Sequence, residues 1–263
     1  MALLEVEHLE IGFGGAPSVV RDVSFALESG ASLGLLGASG SGKSLTALAV
    51  LGLLPRGAQV RGGTLRFDGR ELNALSPEER RLLRGGELGL VFQEPFTALN
   101  PLMRVGDQIA ESLALHQGLG TEAARRGAAA ALEQVGILPG PERAAMYPHQ
   151  FSGGMRQRAL LAMALACKPR LLIADEPTTA LDATVQAQVL GLLKRLQSDL
   201  GFALLIISHD LAVIHALAED AVLLEAGEVA ERGRLTEMLL APESGALERM
   251  IRACRALHGA TGD

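Results

Sequence analysis

The sequence predicts an α/β fold in which a largely parallel sheet carries an inserted helical subdomain. Three observations predict it. Short, nearly apolar runs such as Ala31–Leu36, Arg170–Ala174 and Phe202–Ser208 have the length and composition of buried parallel strands. Segments of strong helix formers alternate with them, as a sheet built from crossover units requires. From about Glu94 to Lys168 the texture changes to Ala, Leu, Glu and Gln with few β-branched runs, which reads as a mostly helical insert.

Taken in order, Leu3–Phe13 alternates weakly and reads as a strand, and Ser18–Leu27 as a second. Glu28-Ser29-Gly30 turns the chain into the buried run Ala31–Leu36. A glycine-rich loop follows, then a helix over Lys43–Leu54 that Pro55-Arg56-Gly57 ends. Val60–Phe67 reads as an edge strand closed by the turn Asp68-Gly69. Ser76-Pro77-Glu78-Glu79 has the pattern of a helix start, with Ser76 as cap, Pro77 at the first position and Glu79 at the third. Leu88–Phe92 is a further strand. Within the helical insert the expected breaks are Gly118–Gly120, Gly136 and Pro139-Gly140-Pro141. Met155–Cys167, Ala183–Leu200 and Leu211–Leu217 read as helices. Ala221–Glu225 and Glu228–Glu231 are separated by Ala226-Gly227, which suggests a hairpin, and Arg234–Asp263 reads as one or two amphipathic helices with a loose end. The expected organisation is a sheet core from residues 1–93 and 169–233, a helical subdomain at 94–168, and a short helical tail at 234–263.

With 263 residues, 48% of them hydrophobic, the chain can bury one large domain with a sizeable insertion. Seven Phe, one Tyr and no Trp leave the packing to Leu, Ala, Val and Ile. A formal net charge of −6 argues against a nucleic-acid coat, whose partner selects clustered Lys and Arg. The basic run Glu79–Arg84 reads as a solvated helix face. Cys167 and Cys254 form no repeated spacing, so neither a disulfide scaffold nor a zinc cluster is expected, and the composition suits a reduced compartment. The first residues lack the basic-then-apolar pattern of a signal peptide. No stretch reaches the roughly 20 apolar residues of a membrane span, so work at a membrane implies a peripheral subunit.

The strongest local signal is the eight-residue phosphate-loop pattern Gly37-Ala38-Ser39-Gly40-Ser41-Gly42-Lys43-Ser44. It lies between a predicted strand and a predicted helix, which is the context the chemistry needs. The glycines let backbone N–H groups converge on phosphate oxygens, and the helix N-terminus adds partial positive charge. Lys43 can bridge β- and γ-phosphates as a point charge, and Ser44 can supply an oxygen to Mg²⁺. Leu45 continues the expected ATP-binding segment. The competing reading, a glycine loop capping an ordinary helix, leaves Lys-Ser at these positions unexplained.

Leu171-Leu172-Ile173-Ala174-Asp175-Glu176 is an apolar strand ending in two acids. In parallel sheets ligands bind beyond the carboxyl ends of strands, so Asp175 is expected on the edge that carries the phosphate loop. Asp175 suits Mg²⁺ coordination through water, and Glu176 is the candidate to polarise an attacking water. His209 ends another strand and can sense a γ-phosphate, with a structural imidazole as the competing reading. Gln93 ends the strand Leu88–Phe92 and can reach Mg²⁺ or the water.

At this point the chain resembles the ATP-binding cassette (ABC) ATPases, from about Leu3 to Gly233. Ser152-Gly153-Gly154-Met155-Arg156-Gln157-Arg158 resembles the family signature, a far more specific motif than the phosphate loop. Asp175–Asp182 resembles the second nucleotide motif running into the dimer-contact loop, Ser208-His209-Asp210 the switch histidine, and Gln93 the glutamine of the loop between sheet and helical subdomain. The resemblance implies a P-loop NTPase sheet core with an antiparallel β-subdomain and an inserted α-helical subdomain. Phe13 falls where such proteins stack an aromatic on adenine, with a core role as the alternative. Met155 stands where many relatives have Gln, outside the Ser-Gly-Gly portion. The resemblance also implies that Ser152, Gly153, Gly154 and Asp182 of one subunit close on ATP held by another. A complete site then needs two chains, identical or homologous, with ATP and Mg²⁺ between them.

Gln93-Glu94-Pro95-Phe96-Thr97-Ala98-Leu99-Asn100-Pro101, Tyr147–Met155 and Gly42–Thr46 followed by Leu51–Pro55 are similar to ATPase subunits of dipeptide, oligopeptide and nickel importers. This implies an ATPase at the cytoplasmic face of the plasma (inner) membrane. Its partners are a second ATPase subunit, two permease subunits and a solute-binding protein, with no nucleic acid. Phe96–Leu102 and Tyr147–Phe151 are candidates to line the groove that receives the permease. Peptide-type members often carry a longer, cysteine-rich tail. Leu239–Asp263 holds only Cys254, a lean toward compact, nickel-type members. An exporter ATPase, a soluble ABC ATPase of DNA repair or translation, and a nucleotide-binding regulator that never hydrolyses are the competing functions.

Overall fold

The computed structural model describes residues 2–91, 98–179 and 181–259, and the chain divides into two units. The first comprises Met1–Leu75 and Ala203–Asp263, the second Ser76–Phe202. Among the described residues no helix is long and apolar enough to cross a membrane.

The first unit opens with β1 (Ala2–Phe13), β2 (Val20–Glu28), β3 (Ser32–Gly37), α1 (Lys43–Leu51), β4 (Ala58–Phe67) and the two-residue β5 (Arg70–Glu71). The second unit contributes α2 (Pro77–Gly86), β6 (Leu88–Val91), α3 (Val105–Gln117), α4 (Thr121–Gln134), α5 (Gly140–Ala144), α6 (Gly153–Leu165), β7 (Leu171–Asp175) and α7 (Ala183–Leu200). The chain then returns to the first unit with β8 (Ala203–Ser208), α8 (Leu211–Leu217), β9 (Asp220–Glu225), β10 (Glu228–Arg234), α9 (Leu235–Leu240) and α10 (Gly245–Gly259).

In the first unit β1 pairs antiparallel with β2 and β4, giving a four-stranded sheet in the order β2-β1-β4-β5. Its inner face buries Leu4, Leu9, Ile11, Leu65 and Phe67 completely. β4, expected as an edge strand, has the two-residue β5 outside it; among the described residues only Arg66 and Phe67 pair on that side. β3 lies between β8 and β9, parallel to both, with Leu36 opposite Ser208 and Gly37 opposite Leu224. A strand covered on both faces has no polar side to show, which is why Leu33, Leu35 and Leu36 read as a continuous apolar run. β9 and β10 form the predicted hairpin. Its turn places Ala226 (φ 50°) and Gly227 (φ 88°) in the left-handed region that a tight two-residue hairpin demands.

In the second unit β6 and β7 are parallel, with Leu88 opposite Leu171 and Val91 opposite Ala174. Four of the five β7 residues are buried. The capping box at α2 forms as the sequence predicts: Ser76 accepts from the Glu79 amide, and the Ser76 amide donates to the Glu79 carboxylate at 2.8 Å. α3 stops at Gly118, which takes the left-handed C-cap conformation at φ 65°. Pro139-Gly140-Pro141 does more than break the chain, since Gly140 opens the short helix α5. The buried Gln108 of α3 fastens the segment before it, accepting from the Asn100 amide and donating to the Asn100 and Met103 carbonyls.

One boundary moves. The helix expected over Met155–Cys167 runs over Gly153–Leu165. Ser152 supplies the reason: its hydroxyl accepts the Met155 amide, so Gly153 and Gly154 are held as the first turn despite their low helix propensity. The helix expected over Lys43–Leu54 ends at Leu51, because Gly52 takes a left-handed C-cap and donates to the Ala49 and Leu48 carbonyls.

Candidate functional site

Within the first unit the phosphate loop joins the buried end of β3 to α1, and its glycines are required by geometry at two points. Gly37 (φ 151°) has no room for a Cβ between the Leu224 carbonyl and the Ser41 side chain. A Cβ on Gly42 (φ 102°) would lie 2.9 Å from Cγ2 of Val20. Lys43 is 6% exposed and folds back over the loop, donating to the carbonyls of Gly37 at 2.8 Å and Ala38 at 2.9 Å. Thr46 donates to the Gly42 carbonyl at 3.0 Å and closes the first turn of α1. No side chain caps this helix and no acid sits in its first turn, so its positive end is available to an anion. Ser41 Oγ is buried and has no hydrogen-bond partner among the described residues, while Ser44 and Leu45 are half-buried. Ser39 and Gly40 are exposed at the tip of the loop.

The same unit places two further predicted residues. His209 is exposed immediately beyond Ser208, which pairs with Leu36, so the imidazole follows the strand end that lies beside the start of the phosphate loop. Asp210 then caps α8 by accepting the Ala212 amide at 2.8 Å. Phe13 is half-buried at the end of β1, opposite Ala58.

Within the second unit Asp175 is the half-buried last residue of β7, and Glu176 follows it, 9% exposed. Glu176 has φ 49°, an uncommon conformation for a residue with a side chain and one that concentrates where function holds the backbone. Its carboxylate accepts from the Thr179 hydroxyl at 3.3 Å, and its carbonyl accepts the Thr179 amide at 3.2 Å. Gln93 lies outside the described residues, as do Phe96 and Thr97 of the expected groove segment.

The signature residues share a cavity of about 430 Å³ with the loop before α7. Ser152 is the N-cap of α6, and Asp182 the N-cap of α7, accepting the Val185 amide at 2.9 Å. Ser152, Gly153, Gly154 and Asp182 all line the cavity, so two helix N-termini open on one space. Arg158, one turn further along α6, lines it too and donates to Gln188 at 3.1 Å. Two positive helix ends and a guanidinium, with Asp182 as the single acid among the lining residues, make this an anion-receptive surface. The sequence assigns Ser152, Gly153, Gly154 and Asp182 to this site and gives Arg158 of the signature no role of its own. The spacing from Gly154 to Arg158 is one helical turn, a signal that finds the arginine once the helix is known to start at Gly153.

A phosphate loop between a buried parallel strand and a helix, a carboxylate pair closing a second apolar strand, and a Ser-Gly-Gly helix start in a helix-rich unit define an ATP-binding cassette. The chain belongs to the ABC transporter family, whose model matches residues 20–179. It is 46% identical over 244 residues to the oligopeptide transport ATP-binding protein OppD of Bacillus subtilis, covering 91% of this chain and 68% of that one. It is 44% identical over 256 residues to the dipeptide transport ATP-binding protein DppD of Escherichia coli, covering 96% and 78%. Among solved structures it resembles the dimeric post-hydrolysis state of the ATP-binding cassette MJ0796 bound to ADP and Pi. The TM-score is 0.77 at 26% identity, over 88% of this chain and 98% of that one.

Proposed function

We propose that this chain binds and hydrolyses ATP to drive uptake of peptides through a membrane permease. The observation that carries the reading is the pairing, in one chain, of a phosphate loop with a Ser152–Gly154 helix start on an anion-receptive cavity. Family membership and the likeness to oligopeptide and dipeptide transport subunits support the peptide class over the competing functions.

In this reading the N–H groups of Gly40–Ser44 and the start of α1 receive the β- and γ-phosphates. Lys43 exchanges its two loop carbonyls for phosphate oxygens, which replaces neutral acceptors with anionic ones. Phe13 stacks on adenine. Ser44 and Asp175 offer hydroxyl and carboxylate oxygens, the hard donors that suit Mg²⁺, and Gln93 joins them. Bound there, the ion neutralises charge on the phosphate oxygens. Glu176 accepts a proton from the attacking water, held for that task by its backbone and by Thr179. His209 donates to the γ-phosphate and registers its loss.

Ser152, Gly153, Gly154 and Asp182 serve the nucleotide of a second, identical or homologous, ATPase subunit. ATP favours the closed pair by binding it more tightly than the open one, and hydrolysis removes that preference. Phe96–Leu102 and Tyr147–Phe151 receive the permease. Leu102 is 86% exposed, and the Tyr147 and His149 rings stack at 5.7 Å, an apolar and aromatic surface fit for a helix. The complex holds two permease subunits and takes its peptide from a solute-binding protein, with this chain peripheral on the cytoplasmic face.

Reconstitution with cognate permease subunits tests the proposal. ATP-driven uptake of a labelled dipeptide or oligopeptide into vesicles is the expected result. Failure to associate with any permease removes the import role and leaves ATP binding to be judged separately.

A further inference from the structure

Opposite Glu10 and Ile11 of β1, the β4 strand carries one residue too many. Ile11 pairs with Val60 and Glu10 with Gly62, so Arg61 is the extra residue of a β-bulge. Bulges re-aim the side chain they carry. Here the Arg61 side chain crosses Gly12, and a Cβ at position 12 would overlap the guanidinium. The fork then grips the loop between β1 and β2. Nη2 donates to the Gly14 carbonyl at 2.7 Å, and Nη1 donates to the Ala16 carbonyl at 2.7 Å and to Ser18 Oγ at 3.1 Å. Ser18 Oγ in turn donates a hydrogen bond to the Glu10 carboxylate at 2.5 Å, which anchors the far end of the grip to β1.

The two ends of this loop are the two ends of the expected nucleotide cradle within the first unit. Phe13 stands immediately before it, its carbonyl accepting the Ala16 amide at 3.0 Å. Val19 and Val20 stand immediately after it, with Val20 against Gly42 of the phosphate loop and the Val19 carbonyl against Gly227. Residues 14–17 are exposed and include two glycines, one at φ 49°; two backbone bonds, Gly14 amide to Gly57 carbonyl at 3.3 Å and Ala16 amide to Phe13 carbonyl, hold this stretch together with the Arg61 fork. Only a planar fork reaches the two carbonyls from separate nitrogens while one of them also serves the Ser18 hydroxyl. A lysine ammonium offers a single donor atom and cannot.

We propose that Arg61 is a positioning residue for the base end of the nucleotide site, holding the Gly14–Ser18 loop so that Phe13 is presented to adenine. The proposal rests on the reading of Phe13 as the adenine-facing aromatic. The guanidinium touches no nucleotide itself and acts by fixing the loop before ATP arrives, so the binding energy is not spent on ordering it.

The test is equilibrium displacement of a fluorescent ATP analogue from the purified full chain, by ATP and by inorganic triphosphate, which has no base. Arg61→Gln is expected to weaken ATP about five- to tenfold, the range of a lost aromatic contact, and to leave triphosphate within about twofold. Gly12→Ala, which keeps Arg61 but displaces its fork, is expected to do the same, and Arg61→Lys to fall between. Phe13→Ala is expected to weaken ATP alone, and adding Arg61→Gln to it to cost less than about twofold more, since both act on one contact. ATP affinity within twofold of wild type in Arg61→Gln and Gly12→Ala, with Phe13→Ala impaired, overturns the role of Arg61 and leaves Phe13 in place. Equal losses of ATP and triphosphate overturn it as well, because the loop would then serve the phosphate end. Unchanged ATP affinity in Phe13→Ala removes the adenine reading and this proposal with it.

Discussion

Gly154 and Val185 meet where α6 and α7 begin: a Cβ at position 154 would lie 2.9 Å from Cγ1 of Val185. The contact brings the two helix N-termini together over the signature cavity. Position 153 is different, because a Cβ there meets nothing within 4 Å. Gly153→Ala therefore adds a helix former at no steric cost, and the second unit should gain up to about 1 kcal/mol. The added methyl stands at the cavity rim, where another subunit's phosphates are expected. Thermal denaturation should show an unchanged or raised Tm while ATP turnover falls at least tenfold.

Lys43 is satisfied without nucleotide by the Gly37 and Ala38 carbonyls. Lys43→Ala leaves those carbonyls to water and should alter stability by no more than about 1–2 kcal/mol. Its effect on ATP should be larger, about ten- to hundredfold in Kd, because a charge-assisted contact to phosphate is lost. Equilibrium titration with ATP beside thermal denaturation separates the two.

His116 of α3 has its protonated form disfavoured by burial first and by the charge of Arg81 second, so its pKa falls below the ordinary 6.5. The unfolded chain then takes up this proton more readily than the folded one. Its contribution to stability is fully present above pH 6.5, and is lost as pH falls below 6.5 toward the lowered folded value. Wild type should lose denaturation midpoint between pH 7.5 and pH 5.5, and His116→Leu should lose less. An equal loss in both assigns the acid sensitivity elsewhere.

Glu231 of β10 is 8% exposed and accepts from Ser244 twice, from the amide at 2.9 Å and the hydroxyl at 2.7 Å. Ser244 in turn accepts the Leu247 amide at the start of α10. Glu231→Ala leaves both Ser244 donors without their acceptor and should cost about 1.5–3 kcal/mol. Limited proteolysis should then cut before α10 well ahead of wild type, with ATP affinity retained.

Local pattern made the strands and the phosphate loop legible. Leu33–Leu36 and Leu171–Ala174 are buried on both faces, so they appear as unbroken apolar runs, and Gly37–Ser44 is a contiguous motif. The start of α6 was misplaced by two residues, because glycine propensity outweighed a cap whose effect depends on the hydroxyl reaching Met155. Arg61 was not legible at all. Its role follows from a register shift against β1 and from an empty position at Gly12, and neither is written in the spacing of β4. Arg158 lay inside the signature but became a cavity residue only once the helix start was fixed.

Phosphate release by the purified chain and its Glu176→Gln variant, measured beside ATP binding, tests the central claim most directly. The amide keeps the size of Glu176 but cannot accept a proton from water. The expected result is ATP affinity within about threefold of wild type, turnover lowered at least a hundredfold, and an ATP-dependent closed pair that persists. Undiminished turnover in the variant, or no ATP binding by the wild-type chain, would contradict it.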